Sequence, residues 1–350
     1  MNRLPSILLI AIATGALVAF VAMQAAAQSF EPDENGSTPE ADSDDRADLA
    51  WAFQEGDVFY ARETDSQVQV QTFMGQTEES KEETTTFMRY VVSSVDDDGV
   101  ATIESHFDGI AMRSSSQGGE VEYDSRNPEH AELEGLPEIR PVAMLVGQSF
   151  RFRVNSEGSV SDVKGYDEIF TELLEDMRRD APQFIELFET MFSNEFMQQQ
   201  LQMMFDILPG EEVAGGDEWE QTGEQWLPAL GTLNFTNAVT YHGNERNDNH
   251  ELANLSVTGE LDFEADQNSS IFPEGTELSI EDTEVEGEVQ YNLDLGWFEK
   301  TESNMSMVMR IDLGDGMELT QNQENVTEVQ RLSAEEWAEA LGIDEDAEDE

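Results

Sequence analysis

Between residues 51 and 164 apolar side chains recur at every second position. Ala101, Ile103, Ser105 and Phe107 alternate with polar partners, and Phe150, Phe152 and Val154 repeat the pattern. A period of two puts such residues on one face of a pleated strand. Asp98-Gly99, Gly118-Gly119 and Glu157-Gly158 supply tight-turn chemistry between the runs. Long alternating runs joined by short turns predict an antiparallel meander with one buried face.

The period changes between residues 166 and 208. Ile169, Phe170, Leu173, Leu174 and Met177 fall at helical spacing. Pro182, which lacks an N–H, interrupts the pattern. Phe184, Ile185, Leu187, Phe188, Met191 and Phe192 continue on a second helix. Ser193 can cap a third that carries Phe196, Met197, Leu201, Met204 and Phe205. This predicts a block of three amphipathic helices.

Strand patterning returns over residues 209–332. Leu233, Phe235, Val239 and Tyr241 alternate, as do Leu255, Val257, Leu261 and Phe263. Val285, Val289, Tyr291 and Leu293 form another run, with Gly296 in the turn beyond. Met305, Met307, Met309 and Ile311 share one face, and Asp315-Gly316 turns the chain into a last strand through Met317 and Leu319. Ser333 and Glu336 form a capping box for a short helix holding Trp337 and Leu341. The fold class expected is α+β. Long antiparallel curved sheets, either two similar halves or one split or half-barrel, carry a three-helix insertion packed on them. The strand regions 49–165 and 209–332 are alike in length without a residue-level repeat that proves duplication.

The ends of the chain are of a different character. Arg3 precedes an apolar stretch from Ile7 to Ala22, and Ala25-Ala26-Ala27 offers the small residues of a cleavage site, so residues 1–27 are read as a signal peptide. A retained anchor is the alternative. Residues 28–48 are rich in Asp, Glu, Pro, Ser and Gly and are expected to be a disordered acidic spacer. Residues 333–350 are the short helix and an acidic tail. A periplasmic or secreted protein follows, with no transmembrane segment after signal removal.

Charge narrows the function. The 350 residues include 17 Lys and Arg against 77 Asp and Glu, a formal net charge of −60, and most of it lies within the body. Nucleic-acid binding needs a basic face and is excluded; binding to anionic membranes is disfavoured for the same reason. Absence of Cys removes disulfides, thiolate metal sites and a Cys nucleophile.

Catalytic motifs are near misses. His250-Glu251 begins like a zinc-protease helix, but residue 254 is Asn. Ser94, Asp96, Asp98 and Gly99 approximate a calcium loop, yet Ser105 stands where a bidentate Glu is required, and a hairpin turn explains the run better. His106, His130, His242 and His250 are scattered. No catalytic residue, metal ligand or cofactor is assigned. The candidate site is an apolar, adaptable surface of Met191, Met197, Met204 and Phe205 on helices with Met305, Met307 and Met309 on a strand; Met203 shares the helical Met cluster. Ordinary core packing is the competing explanation.

The order of these segments, with Tyr123-Asp124-Ser125, then Gly147, Phe150 and Phe152, then the Gly158-x-Val160-x-x-Val163-x-Gly165 turn–strand–turn, resembles an uncharacterised family of exported, planctomycete-type bacterial proteins known only as a domain of unknown function. The outline is also similar to half-barrel carriers of the lipoprotein-sorting type, which implies an enclosed apolar ligand. Two readings stand: an exported non-enzymatic protein that binds an apolar small molecule or an envelope protein, and a metal-dependent extracytoplasmic hydrolase.

A body this negative repels itself, and salt shortens the reach of that repulsion from about 10 Å at 0.1 M to about 3 Å at 1 M. With only three Lys (Lys81, Lys164 and Lys300), the acidity is read as adaptation to saline surroundings, so the melting temperature is expected to rise with NaCl over that range, and a flat profile would contradict that reading.

Overall fold

The computed structural model of the chain describes residues 46–343 apart from 228–229, 248–249, 267–275 and 315. The expected signal peptide, most of the spacer, the acidic tail beyond 343 and Asp315 of the expected turn lie outside the described residues. The strands run β1 (Arg46–Asp48), β2 (Val58–Phe73), β3 (Gln76–Val95), β4 (Ala101–Ser116), β5 (Gly119–Asp124), β6 (Ser149–Val154), β7 (Val160–Lys164), β8 (Glu212–Ala214), β9 (Glu218–Leu227), β10 (Gly231–Asn247), β11 (His250–Ala265), β12 (Glu277–Asn292), β13 (Trp297–Asp312) and β14 (Glu318–Leu332). The folded body starts before the expected boundary at residue 49. Strand β1, with Ala47 buried, pairs antiparallel with β8.

The two strand-rich regions make a single sheet. Its order is β7-β6-β4-β3-β2-β14-β13-β12-β11-β10-β9, with β5 beside β4 and every pairing antiparallel. The join is β14 on β2, in unbroken register from Leu319 opposite Phe73 to Leu332 opposite Tyr60. Of the architectures expected, the open curved sheet is the one formed. Phe152 of β6 and Tyr241 of β10 belong to one core cluster although many strands separate them, so the apolar face is concave. The sheet does not close: β7 and β9 are its free edges.

Alternation delivers the strands as the pattern predicts. On β4 Ala101, Ile103, Ser105 and Phe107 are buried in turn, and Met305, Met307, Met309 and Ile311 share the buried face of β13. Gly99, Gly119 and Gly158 occupy the predicted turns with left-handed backbones. Gly158 is obligatory for a second reason, since a Cβ there would stand 2.3 Å from the carbonyl oxygen of Phe205.

The helices are α1 (Arg140–Ala143), α2 (Tyr166–Ile169), α3 (Thr171–Asp180), α4 (Ile185–Met191), α5 (Asn194–Phe205) and α6 (Ala334–Leu341). The expected first helix of the block is divided in two. Phe170 leaves helical geometry at φ −98° and ψ 8°, and its ring stacks on Phe192 at 4.1 Å. Pro182 opens a 3-10 turn, and Ser193 caps α5 by accepting from the Phe196 N–H at 3.1 Å. The capping box of α6 forms as predicted. A 3-10 turn at Pro128–Leu133 and helix α1 were not foreseen within the first meander. The 3-10 stretch is polar, and around α1 the apolar residues Val142 to Val146 run consecutively after Pro141, so neither part shows a period, and Ile139 is the one fully buried anchor.

In sequence the helical block joins one free edge of the sheet to the other. Helix α5 lies against β7, where Gln202 accepts from Val160 N–H at 2.8 Å and donates to the Gly158 carbonyl at 3.2 Å. Helix α4 buries Leu187 and Met191 with Leu227, Leu230 and Leu233 beside β9 and β10. Trp51 locks the end of α5 in place. Its indole N–H donates to the Phe205 carbonyl at 2.8 Å, and its ring meets Phe205 at 4.6 Å, Phe298 at 4.9 Å and Tyr291 at 5.5 Å.

Trp51 is 2% exposed and Trp226 is 56% exposed. Trp51→Ala is expected to cost about 3–5 kcal/mol in urea unfolding, against about 0.5 kcal/mol or less for Trp226→Ala. Equal losses would contradict a core organised around Trp51.

Candidate functional site

The inner face of β2 reads Phe59, Ala61, Glu63, Asp65, Gln67: apolar at one end, acidic in the middle. Register places Thr86, Thr84 and Glu82 of β3 beside the last three of these, and Val329, Thr327 and Asn325 of β14 on their other side. Helix α5 stands over this part of the sheet with Met197, Gln200, Leu201, Met203 and Met204 toward it. The two surfaces do not meet everywhere. Between them lies a cavity of about 330 Å³, whose further walls include Met88, Tyr90, Phe107, Ile110, Phe150, Tyr166, Phe298 and Thr301, with Val142 and Leu145 from the segment that contains α1.

The cavity is two-sided. Its α5 side, apart from Gln200, and the β4–β6 side are apolar, while the β2–β3 side carries Glu63, Asp65, Glu82, Gln67, Thr84 and Thr86. Glu63 is 8% exposed. Burial holds its carboxyl well above the ordinary carboxylate range, and the neighbouring Asp65 carboxyl adds to this. Asp65 is also raised by burial, against a hydrogen bond of 2.6 Å that it accepts from Thr327 Oγ1. Glu82 marks the rim where the site reaches solvent, and desolvation followed by the charge of Asp65 pushes it up too. Tyr90 and Tyr166 are both raised by burial. Among the described residues that line the cavity none is Lys, Arg or His.

A second polar feature continues away from the acids. On β14 Gln321, Gln323, Asn325 and Thr327 are all 2–3% exposed, facing the interior where apolar residues would be expected. The first three form a chain, Gln321 Nε2 donating to Gln323 Oε1 at 3.0 Å and Gln323 Nε2 to Asn325 Oδ1 at 3.2 Å, while Thr327 donates to Asp65. Asn325 Nδ2, opposite Gln67 in the register, has no hydrogen-bond partner among the described residues.

Of the residues singled out in the sequence, Met197 and Met204 line the cavity, joined by Met203 and Met88. Phe205 is buried at the end of α5, occupied by Trp51 rather than by the cavity. Met191 packs with Leu187 under α4. Met305 and Met307 cluster with Val285, and Met309 with Ile311 and Leu319, further along β13 than Phe298 and Thr301, which do line the site. The helical and strand methionines thus do not converge on one surface. Sequence reading passed over Glu63, Asp65 and Glu82. The available signal was an acidic pair at i and i+2 on the same face as Phe59 and Ala61, in a strand otherwise rich in polar residues.

His250 and Glu251 begin strand β11, and Asp96 closes the β3–β4 hairpin by accepting from the backbone N–H groups of Asp98 at 3.1 Å and Val100 at 3.0 Å. Among the described residues no group of three His, Asp or Glu is placed to hold a metal ion. None of their helices is long and apolar enough to cross a membrane.

Glu63 and Asp65 hold protons more tightly in the folded chain than in the unfolded one. Each favours folding fully only below its ordinary value, 4.5 for Glu63 and 3.8 for Asp65, and that contribution is lost as pH rises through their folded values. Glu63→Gln cannot ionise, so its melting temperature relative to wild type is expected to become more favourable from pH 5 to pH 8. A pH-independent difference would contradict a buried, protonated Glu63.

Comparison with known proteins adds a family and little else. No curated protein matches the sequence. A lipovitellin structure described for its lipid–protein interactions aligns at TM-score 0.37 and 10% identity, over 80% of this chain and 25% of its own, so this chain spans a quarter of that one's length. Acinetobacter baumannii OccAB4 aligns at TM-score 0.22 and 6% identity, over 80% of this chain and 99% of its own. The translocator domain of the autotransporter NalP from Neisseria meningitidis aligns at TM-score 0.19 and 10% identity, over 80% and 90% of the two chains. Likenesses at these scores establish no shared fold. A family model, by contrast, matches residues 98–298, more than half of the sequence, and the chain belongs to that family of unknown function, DUF6263.

Proposed function

We propose that this is an exported, non-enzymatic binding protein that holds an apolar ligand between α5 and the concave sheet. One observation carries the reading: the helix that covers the sheet leaves about 330 Å³ unfilled against it, walled by flexible Met side chains on one side. Protein interiors are close-packed, and voids of this size are uncommon in a single domain. The volume falls in the range of ligand pockets, which are mostly apolar with a few polar groups to fix orientation. Met203, Met204 and Met197 can adjust their unbranched chains to occupants of different shape. Residues 1–27, with their charged start, apolar stretch and small-residue end, support a site of action outside the cytoplasm.

Delipidated protein titrated with the apolar fluorophore N-phenyl-1-naphthylamine should show saturable binding at one site. Met204→Trp, which fills the cavity from α5, is expected to weaken that binding about tenfold, equivalent to about 1.4 kcal/mol, with the circular dichroism spectrum unchanged. Leu201→Trp provides a second blocking variant. Unsaturable binding, or binding that both variants leave intact, would overturn the assignment.

A further inference from the structure

We propose that the ligand is an amphiphile with a primary amine head, its ammonium held by Glu63 and Asp65 and its alkyl chain lying along α5. The inference rests on the cavity being a ligand site and names the chemistry that the site selects. The whole cavity of about 330 Å³ takes roughly eleven methylene-sized groups, head and chain together, at the ~30 Å³ that a water molecule occupies in the liquid, and Met197, Leu201, Met204, Phe107 and Ile110 line its apolar part. Its polar part is acidic and lacks any basic residue among those described.

That asymmetry discriminates between head groups. A carboxylate or phosphate head would enter beside Glu63, Asp65 and Glu82 with no cation to receive it, and desolvated like charges repel strongly. An alcohol could hydrogen-bond to Asp65 or Thr84, but it would bring no positive charge to Glu63, 8% exposed, and its neighbour Asp65. An ammonium carries three donors and the charge that a buried carboxylate requires. On its entry the proton that the carboxyl pair retains passes to solvent, and the pair becomes the counter-ion. The groups that titrate around the head are Glu63 and Asp65 on β2 with Glu82 and Tyr90 on β3; α5, β4, β13 and β14 contribute no charged side chain to the described lining. Amine binding therefore strengthens as pH rises from 5 to 8.

Calorimetric titration of the full chain with decylamine, decanol and decanoate, below micellar concentrations and in about 0.5 M NaCl to screen the acidic surface, tests this directly. Decylamine is expected to bind at least about tenfold tighter than decanol, and decanoate more weakly than decanol. Decylamine binding should release a proton, read as an enthalpy that varies with the ionisation enthalpy of the buffer. Glu63→Gln should abolish the preference for the amine, decylamine and decanol then binding within about twofold of each other. Decanol or decanoate binding as tightly as decylamine would overturn the inference while leaving the apolar site standing. An amine preference that survives both Glu63→Gln and Asp65→Asn would also overturn it, as attraction to the surface alone. If none of the three binds, the ligand site itself fails, and this inference with it.

Discussion

An antiparallel sheet that is apolar on its concave face and open at both edges must bury that face and protect those edges with the same limited material. Here the helical block does both. It leaves the sheet at β7 and returns to it near β9, so α5 and α4 cover the concave face along the line where the two edges would otherwise remain bare. The contact that fixes this cover is the one between Trp51 and Phe205. It ties the lead-in chain, the end of α5 and the β12–β13 aromatics into one aromatic cluster. The helix is held as well at Asn194, which accepts from the Tyr166 N–H, and at Gln202 against β7, and the cavity lies under the part of its face that carries Met197, Leu201 and Met204.

The placement of charge follows from the same geometry. Most of the acidic residues face water, where repulsion is screened and desolvation is small. Glu63 and Asp65 are different because the alternation of β2 commits them to the inner face. Burying two carboxyls without a basic neighbour costs stability unless a proton or a ligand compensates. The amide chain on β14 shows that this stretch of the interior is polar by construction: Gln321, Gln323 and Asn325 are hydrogen-bonded in series along the strand, and Thr327 next to them donates to Asp65. Such groups fix register and orientation at the expense of packing energy, a pattern expected of binding sites more than of cores.

The architecture was largely legible in the sequence because the governing signals are periodic. Ile103 and Phe107, Val239 and Tyr241, and Met305 to Ile311 each announce an inward face, and the shift to helical spacing at Tyr166 marks the insertion. What periodicity could not decide was whether the two meanders pair, since β14 meets β2 across more than two hundred residues of chain and the contact depends on global curvature. The site was less legible. Met197 and Met204 were accessible through the helical stripe, but Met305, Met307 and Met309, equally apolar, pack into separate clusters further along β13. Hydrophobic alternation locates the inward face only where that face is apolar, so Glu63, Asp65 and the β14 amides, inward but polar, gave no signal of that kind.

The central claim is that α5 spans the sheet without filling the space beneath it. Diffraction from crystals pressurised with xenon tests this without reference to any ligand, because xenon collects against the apolar walls of open space and finds no room where side chains are packed together. Xenon density between Met204 and Leu201 of α5 and Phe107 and Ile110 of β4 is the predicted result. Side chains in van der Waals contact across that space, with no xenon between them, would contradict it.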